Sequence, residues 1–263
     1  MPFFSTDSTK IFYTTGGSPS NPAVVFIHGL GSSQNYFYSQ FEALSSTHHV
    51  ILLDTPGSGQ SPTPAGPPSA LLLVSEISAL MDHLNVPSAI VVGHSLGGLL
   101  ASLLAVEFPN KVAGLVLLGP VHPSDALAAA FETRVKTIEQ TDFSLEAIYN
   151  AVPLAATGTL SRSKSSLVHG FIRELVSRQD PRGYIATCTV IATAPVPEFA
   201  KLDKKPPAIV LVGEEDKTAP YEGCVDKIAT GLEAEVRFLE GVGHWHALED
   251  PEAVLDAILS IKI

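Results

Sequence analysis

The sequence is short of cysteine and of positive charge, and each shortage removes a class of protein. Its 263 residues hold 2 cysteines, Cys188 and Cys224, with no CxxC pair and no His-rich companion segment, so neither a disulfide framework nor a zinc site is suggested. Lysine and arginine number 16 against 27 acids, a formal charge of −11. A chain this acidic offers no basic footprint for a phosphate backbone or an anionic bilayer, and nucleic acid is not an expected partner. No run reaches the roughly 18 apolar residues that span a membrane, and Met1–Lys10 has no basic segment leading into an apolar stretch. The expectation is a cytoplasmic protein without a membrane span. The 20 glycines form neither GxGxxG on the first βα unit nor GxxxxGK[ST]. No metal, nucleotide or other cofactor is implied, and the oligomeric state is not legible.

What the chain does have is apolar bulk, 45% of its residues against 16% charged, enough for one good core. Ala23–Ile27, Val50–Leu53, Ala89–Val92, Ala113–Leu118 and Ala208–Val212 are short, continuously apolar and partly β-branched, as strands buried on both faces of a parallel sheet should be. Helix-length segments alternate with them: Tyr36–Leu44, Leu71–Leu84, Leu96–Phe108 and Pro220–Gly231. Phe3–Thr6 and Ile11–Thr15 suit an antiparallel hairpin at the sheet edge, Glu235–Leu239 a last strand, and Pro251–Ile261 a closing helix capped by Asp250. Strict alternation predicts an α/β fold with a mostly parallel, doubly wound sheet. It breaks once, from His122 to Ala200, where amphipathic helical patterns replace buried strands. The expected organisation is a core of residues 1–121 and 201–263 with a helical cap insertion at 122–200. The insertion holds five of the six arginines: 134, 162, 173, 178 and 182.

Chemistry concentrates at Gly93-His94-Ser95-Leu96-Gly97, between the strand Ala89–Val92 and the helix that opens at Leu96. A serine at a sharp strand-to-helix turn needs flanking residues without side chains, because neighbouring backbone comes close, and Gly93 and Gly97 supply that room. A hydroxyl is a poor nucleophile unless a base takes its proton, and the base needs an acid to hold its tautomer. At elbows of this kind, acid and then base follow the serine along the chain. His244, directly after Gly243 in the loop before the last helix, is the expected base, with His246 the competitor. His122 and His169 fall in the insertion, as surface or pocket-lining groups. Asp216, one turn beyond the strand Ala208–Val212, is the expected acid, with Asp125 the alternative. Charge developing on a substrate carbonyl oxygen requires two converging N–H groups. The Leu96 amide, free at a helix start, and the Leu30 amide of His28-Gly29-Leu30-Gly31 are the expected donors. His94 and Trp245, beside the nucleophile and the base, are expected to contact substrate, although Trp245 could equally pack beneath its loop. Asp54 reads as structural.

Five motifs in this order, HG after the third strand, Asp54-x-x-Gly57-x-Gly59-x-Ser61, GHSLGG, Gly213-x-x-Asp216 and G-x-GH-x-x-x-x-EDPE, resemble the α/β-hydrolase superfamily. The likeness is to its lidded small-molecule hydrolases, and within them to β-ketoadipate enol-lactonases and related lactonases and esterases. The resemblance implies a serine hydrolase that cleaves a small carboxylic ester or lactone through an acyl-enzyme. Ser95 excludes the branches whose elbow carries an aspartate nucleophile. Carbon–carbon bond hydrolases and ligand receptors of the same fold remain as alternatives. The arginine bias of the insertion raises two options: one arginine receives a substrate carboxylate, or all five balance local acids.

Overall fold

The computed structural model describes residues 2–66, 68–162 and 166–262. Eight strands form one sheet: β1 (Phe3–Ser5), β2 (Lys10–Gly16), β3 (Ala23–Ile27), β4 (His49–Leu53), β5 (Ala89–His94), β6 (Val112–Leu118), β7 (Ala208–Gly213) and β8 (Glu235–Leu239). They lie in the order β1-β2-β4-β3-β5-β6-β7-β8. The pairs β1/β2 and β2/β4 are antiparallel, and every later pair is parallel. This is the expected doubly wound sheet with a hairpin at one edge.

The burial pattern explains the strand compositions. Every residue of β3 and β5 is buried, because helices cover both faces of the central strands. The edge strand β8 keeps only half-buried and exposed positions, since one of its edges and much of its face are uncovered. Between and after the strands run α1 (Tyr38–Leu44), α2 (Ala70–His83), α3 (Leu96–Glu107), α4 (Asp125–Gln140), α5 (Glu146–Ala155), α6 (Thr159–Arg162), α7 (Ser166–Ser177), α8 (Pro181–Thr193), α9 (Asp226–Leu232), α10 (His246–Glu249) and α11 (Pro251–Ser260). Helix α3 is buried continuously from Leu96 to Ala105, which is why it is apolar all round rather than striped. Asp250 caps α11 by accepting a hydrogen bond from the Ala253 amide.

One expected helix is shorter than its sequence pattern. Residues 220–231 do not form a single helix, since Glu222 is extended and Gly223 has φ 77°, so regular helix starts only at Asp226. Gly223 adopts a left-handed conformation that breaks the run, a choice its neighbours' helical spacing does not reveal. From 122 to 200, residues 163–165 lying outside the described ones, the chain carries α4 to α8 and no strand among the described residues. Also among the described residues, no helix is long and apolar enough to cross a membrane.

Candidate active site

Parallel strands with right-handed crossovers place all their carboxyl ends on one rim, and the loops leaving β3, β5, β7 and β8 carry the polar residues of interest. Ser95 follows β5 directly. Its φ of 53° and ψ of −116° lie in a region that β-carbon-bearing residues rarely occupy. Neighbours hold it there: its amide donates to the Leu118 carbonyl at 2.9 Å, and its carbonyl accepts from the amides of Gly98 and Leu99. Gly97 permits the turn, since a Cβ on it would sit 1.9 Å from the Ile27 carbonyl oxygen.

The loop after β7 supplies Asp216. Its Oδ1 accepts from the amides of Thr218 at 2.8 Å and Ala219 at 3.0 Å, which turns Oδ2 toward the loop after β8. There Oδ2 accepts a hydrogen bond from His244 Nδ1 at 2.8 Å. Burial pushes the Asp216 carboxyl up, but the adjacent His244 imidazole and then the Ala219 amide outweigh burial, and it titrates below the usual carboxylate range. An ionised Asp216 fixes the proton of His244 on Nδ1, which leaves Nε2 as the basic nitrogen.

Ser95 and His244 line the same cavity, of about 350 Å³. Leu30 and Trp245 line it from the sheet side, and α4, α5 and α8 close over it with Phe131, Ile148, Val152, Tyr184 and Ile191 among others. Backbone geometry leaves the Leu96 amide without an intrahelical acceptor at the start of α3. Among the described residues neither Leu30 nor Leu96 donates a backbone hydrogen bond outside regular elements. The Leu30 turn is braced by His28, whose Nδ1 donates to the Gly29 carbonyl at 2.8 Å while Nε2 accepts from the Thr55 amide at 3.1 Å.

The alternatives separate clearly. Asp125 is exposed at the first turn of α4, and among the described residues it makes no ion pair. His246 is fully buried, its Nδ1 donating to the His244 carbonyl at 2.9 Å and its Nε2 accepting from the Gly213 amide at 3.1 Å. Both nitrogens are thus used in holding the loop of His244 against β7. His169 bonds Thr157 through Nε2 at 3.1 Å, and His122 is half-buried beside Cys224. Asp54 is structural, its two oxygens accepting from the amides of Gln34 at 2.6 Å and Gln60 at 2.8 Å.

One expected contact residue needs correction. His94 does not line the cavity: it is 2% exposed, and its Nε2 donates to the His244 carbonyl at 2.7 Å. As the last residue of β5 it turns its ring toward the loop after β8 and away from the cavity, 4.7 Å from the His244 ring. Trp245 does both things open to it, walling the cavity and packing on Tyr36 with ring centroids 5.6 Å apart. Of the five insertion arginines only Arg134 lines the cavity, where it donates to Tyr184 Oη at 3.4 Å. Arg162 donates to the Thr157 carbonyl, Arg173 lies over Tyr149, and Arg178 pairs with Glu174.

Glu249 has no part in the sequence reading beyond its place in the last motif. It is 7% exposed, and four donors converge on it: the amides of Gly243 and Trp245 on Oε1, and the Gly158 amide and Ser161 hydroxyl on Oε2. Only the E four residues after Trp245 hinted at it, because its partners come from two distant stretches. Among the described residues no cluster of three or more His, Cys, Asp or Glu side chains is arranged for a metal ion.

Burial also has a consequence for stability. It lowers the His246 pKa from 6.5 to about 4, ahead of the opposing pull of Asp216. A histidine depressed in the folded state costs nothing above pH 6.5, where both states are neutral. Below that, the unfolded chain takes up the proton first, so stability falls down to about pH 4, by about 3 kcal/mol in total from this group. Urea unfolding across that range should show the loss, and His246→Gln should be less sensitive to acid than the wild type; equal sensitivity would contradict the assignment.

Comparison with known proteins agrees with the geometry. A family model described as alpha/beta hydrolase fold matches residues 22–251. The chain is 28% identical over 254 residues to 3-oxoadipate enol-lactonase 2 of Acinetobacter baylyi, covering 95% of this chain and 91% of that protein. It superposes on the enol-lactonase from Burkholderia xenovorans LB400 with TM-score 0.88, at 24% identity and 99% coverage of both chains. A thermophilic esterase from Thermogutta terrifontis superposes with TM-score 0.86 at 22% identity, covering 95% of this chain and 92% of that one. At such identities the superpositions speak for the fold alone. A match over 230 residues in sequence, carried by a sheet of this order, means that the chain belongs to the alpha/beta hydrolase fold family.

Proposed function

We propose that this protein is a serine hydrolase that cleaves small carboxylic esters or lactones through an acyl-enzyme. The observation that carries the reading is the buried Asp216–His244 pair at 2.8 Å, whose imidazole lines the same cavity as a strained Ser95. In this mechanism His244 Nε2 takes the Ser95 proton as Oγ attacks the carbonyl carbon. The oxyanion is received by the amides of Leu96 and Leu30, and the proton passes from His244 to the departing alkoxide. Water then repeats the sequence on the ester to Ser95, releasing the acid. From a lactone the alkoxide stays tethered, so one hydroxy or keto acid leaves. The 3-oxoadipate enol-lactonase relative supports an ester or lactone carbonyl as the target.

In this reading residues 122–200 act as a cap over a core of 1–121 and 201–263, and the aliphatic lining from α5 receives an apolar acyl group. Free Cys188 and Cys224 fit a reducing, cytoplasmic setting. Arg134, the one lysine or arginine on the cavity wall among the described residues, is where a substrate carboxylate would be received. Arg134→Ala should then raise KM for acidic lactones about tenfold more than for neutral esters, as expected for loss of one charge-assisted bond. An equal change for both substrates would remove that assignment.

The function itself is tested by progress curves on a panel of short esters and lactones. Hundreds of turnovers per protein molecule are expected. A single turnover, or binding without product, would point instead to a ligand receptor of the same fold.

A further inference from the structure

Outside the Asp216–His244 pair, the fold also buries the Glu249 carboxylate. It is 7% exposed, and among the described residues no cation pairs with it. Burying a carboxylate is costly unless hydrogen bonds replace its water, and here four donors do so. They come in two pairs from two parts of the chain. On one side Oε1 accepts from the amides of Gly243 at 3.1 Å and Trp245 at 3.0 Å, the two neighbours of His244. On the other Oε2 accepts from the Gly158 amide at 2.7 Å and the Ser161 hydroxyl at 3.2 Å, both in the helical insertion.

The two segments also meet directly. The His244 amide donates to the Ala156 carbonyl at 2.7 Å, and the Leu160 amide donates to the Gly241 carbonyl at 2.8 Å. The approach is close enough that a Cβ on Gly158 would sit 2.1 Å from the Gly241 carbonyl oxygen, so bare backbone is required there. Immediately before this junction, Ala155 and Ala156 line the cavity that Ser95 and His244 face.

We propose that Glu249 is a positioning residue: its carboxylate latches the loop that presents His244 to the insertion segment 156–161, so that alignment of the base and the shape of the cavity wall are set together. The inference rests on the serine-hydrolase reading for its effect on turnover, while the latch itself is a statement about structure. Two oxygens are essential to it. In Glu249→Gln the single carbonyl oxygen serves one pair of donors, and the amide N–H₂ then faces at least one backbone N–H of the other pair, a donor against a donor.

The test combines hydrogen exchange with kinetics on Glu249→Gln in the full-length chain. Amides of peptides covering 156–162 and 241–249 should exchange faster together, although only one residue has changed. Per active site counted with a fluorophosphonate, kcat for an acetate ester should fall about 10- to 100-fold, the scale of a misplaced catalytic group. The hexanoate-to-acetate ratio of kcat/KM should shift at least about fivefold as the wall near Ala155 and Ala156 loosens. General destabilisation would lower only the count of active sites. Faster exchange confined to one peptide, or kcat per site and chain-length ratio both within twofold of wild type, would overturn the proposal. Should the variant fail to fold, Ser161→Ala, which leaves three of the four donors, decides by the same readouts. It should move exchange in both peptides and shift the ratio in the same direction, and no change in either would overturn the latch. Failure of the wild-type protein to turn over any ester would instead sink the catalytic reading, with hydrogen exchange still deciding the latch.

Discussion

Replacing Ser95 with alanine is expected to lower kcat about 10⁴- to 10⁶-fold while leaving the substrate dissociation constant within a few-fold of wild type. The split follows from what the side chain does. Its hydroxyl makes no hydrogen bond to the fold among the described residues, so its removal takes away the bond-forming atom and little else. The strained backbone is common to both residues, since φ 53° is imposed by the Leu118, Gly98 and Leu99 hydrogen bonds rather than by the side chain. The apolar cavity wall is untouched, and binding, which depends on it, persists. Isothermal titration of a non-hydrolysed analogue alongside turnover assays separates the two quantities. Retention of even a hundredth of the wild-type kcat, after purification free of contaminating esterase, would argue against nucleophilic catalysis at this position.

The second large effect is expected at Asp216. An asparagine can keep the amides of Thr218 and Ala219 on its carbonyl oxygen, so the turn that carries it survives. Its N–H₂ group then faces His244 Nδ1 where a carboxylate oxygen stood at 2.8 Å. Two donors cannot share that contact, so the imidazole gives up its Nδ1 proton and carries it on Nε2. A base protonated on Nε2 cannot accept the Ser95 proton. Loss of the buried charge also withdraws stabilisation from the imidazolium formed in each step. The combined cost is about 10⁴-fold in kcat for Asp216→Asn, with thermal stability close to wild type. A fall in kcat of tenfold or less would show that the tautomer is held by something else. Equal losses of kcat and folding stability would mean that the asparagine disturbs the turn and not the imidazole.

Much of the site was legible in the sequence because the backbone demands there are severe. A serine held at positive φ between a strand and a buried helix needs glycine at 93 and 97, and that requirement is written in the chain. Continuous apolar runs marked the central strands because both faces of the sheet are covered. Elements that depend on tertiary partners were harder to read. Adjacency to Ser95 in sequence does not put His94 on the cavity wall, because its ring is drawn to the His244 carbonyl, a partner 150 residues away. The break at Gly223 was hidden by apolar spacing that continues through it. Glu249 was invisible as a group with a task, since three of its four donors are main-chain amides and carry no residue-type signature. The cavity lining from α4, α5 and α8 was equally unreadable, because it depends on how helices from one insertion cross each other above the sheet.

Serine hydrolysis here requires that Ser95 supply the atom of the acyl bond and that the Asp216–His244 pair activate it. Incubation with a fluorophosphonate, followed by peptide mass mapping and rate measurement, addresses both at once. The tag is expected on Ser95 alone, formed at least about a thousandfold more slowly in Asp216→Asn. A tag on any other residue, or an undiminished rate in that variant, would contradict it.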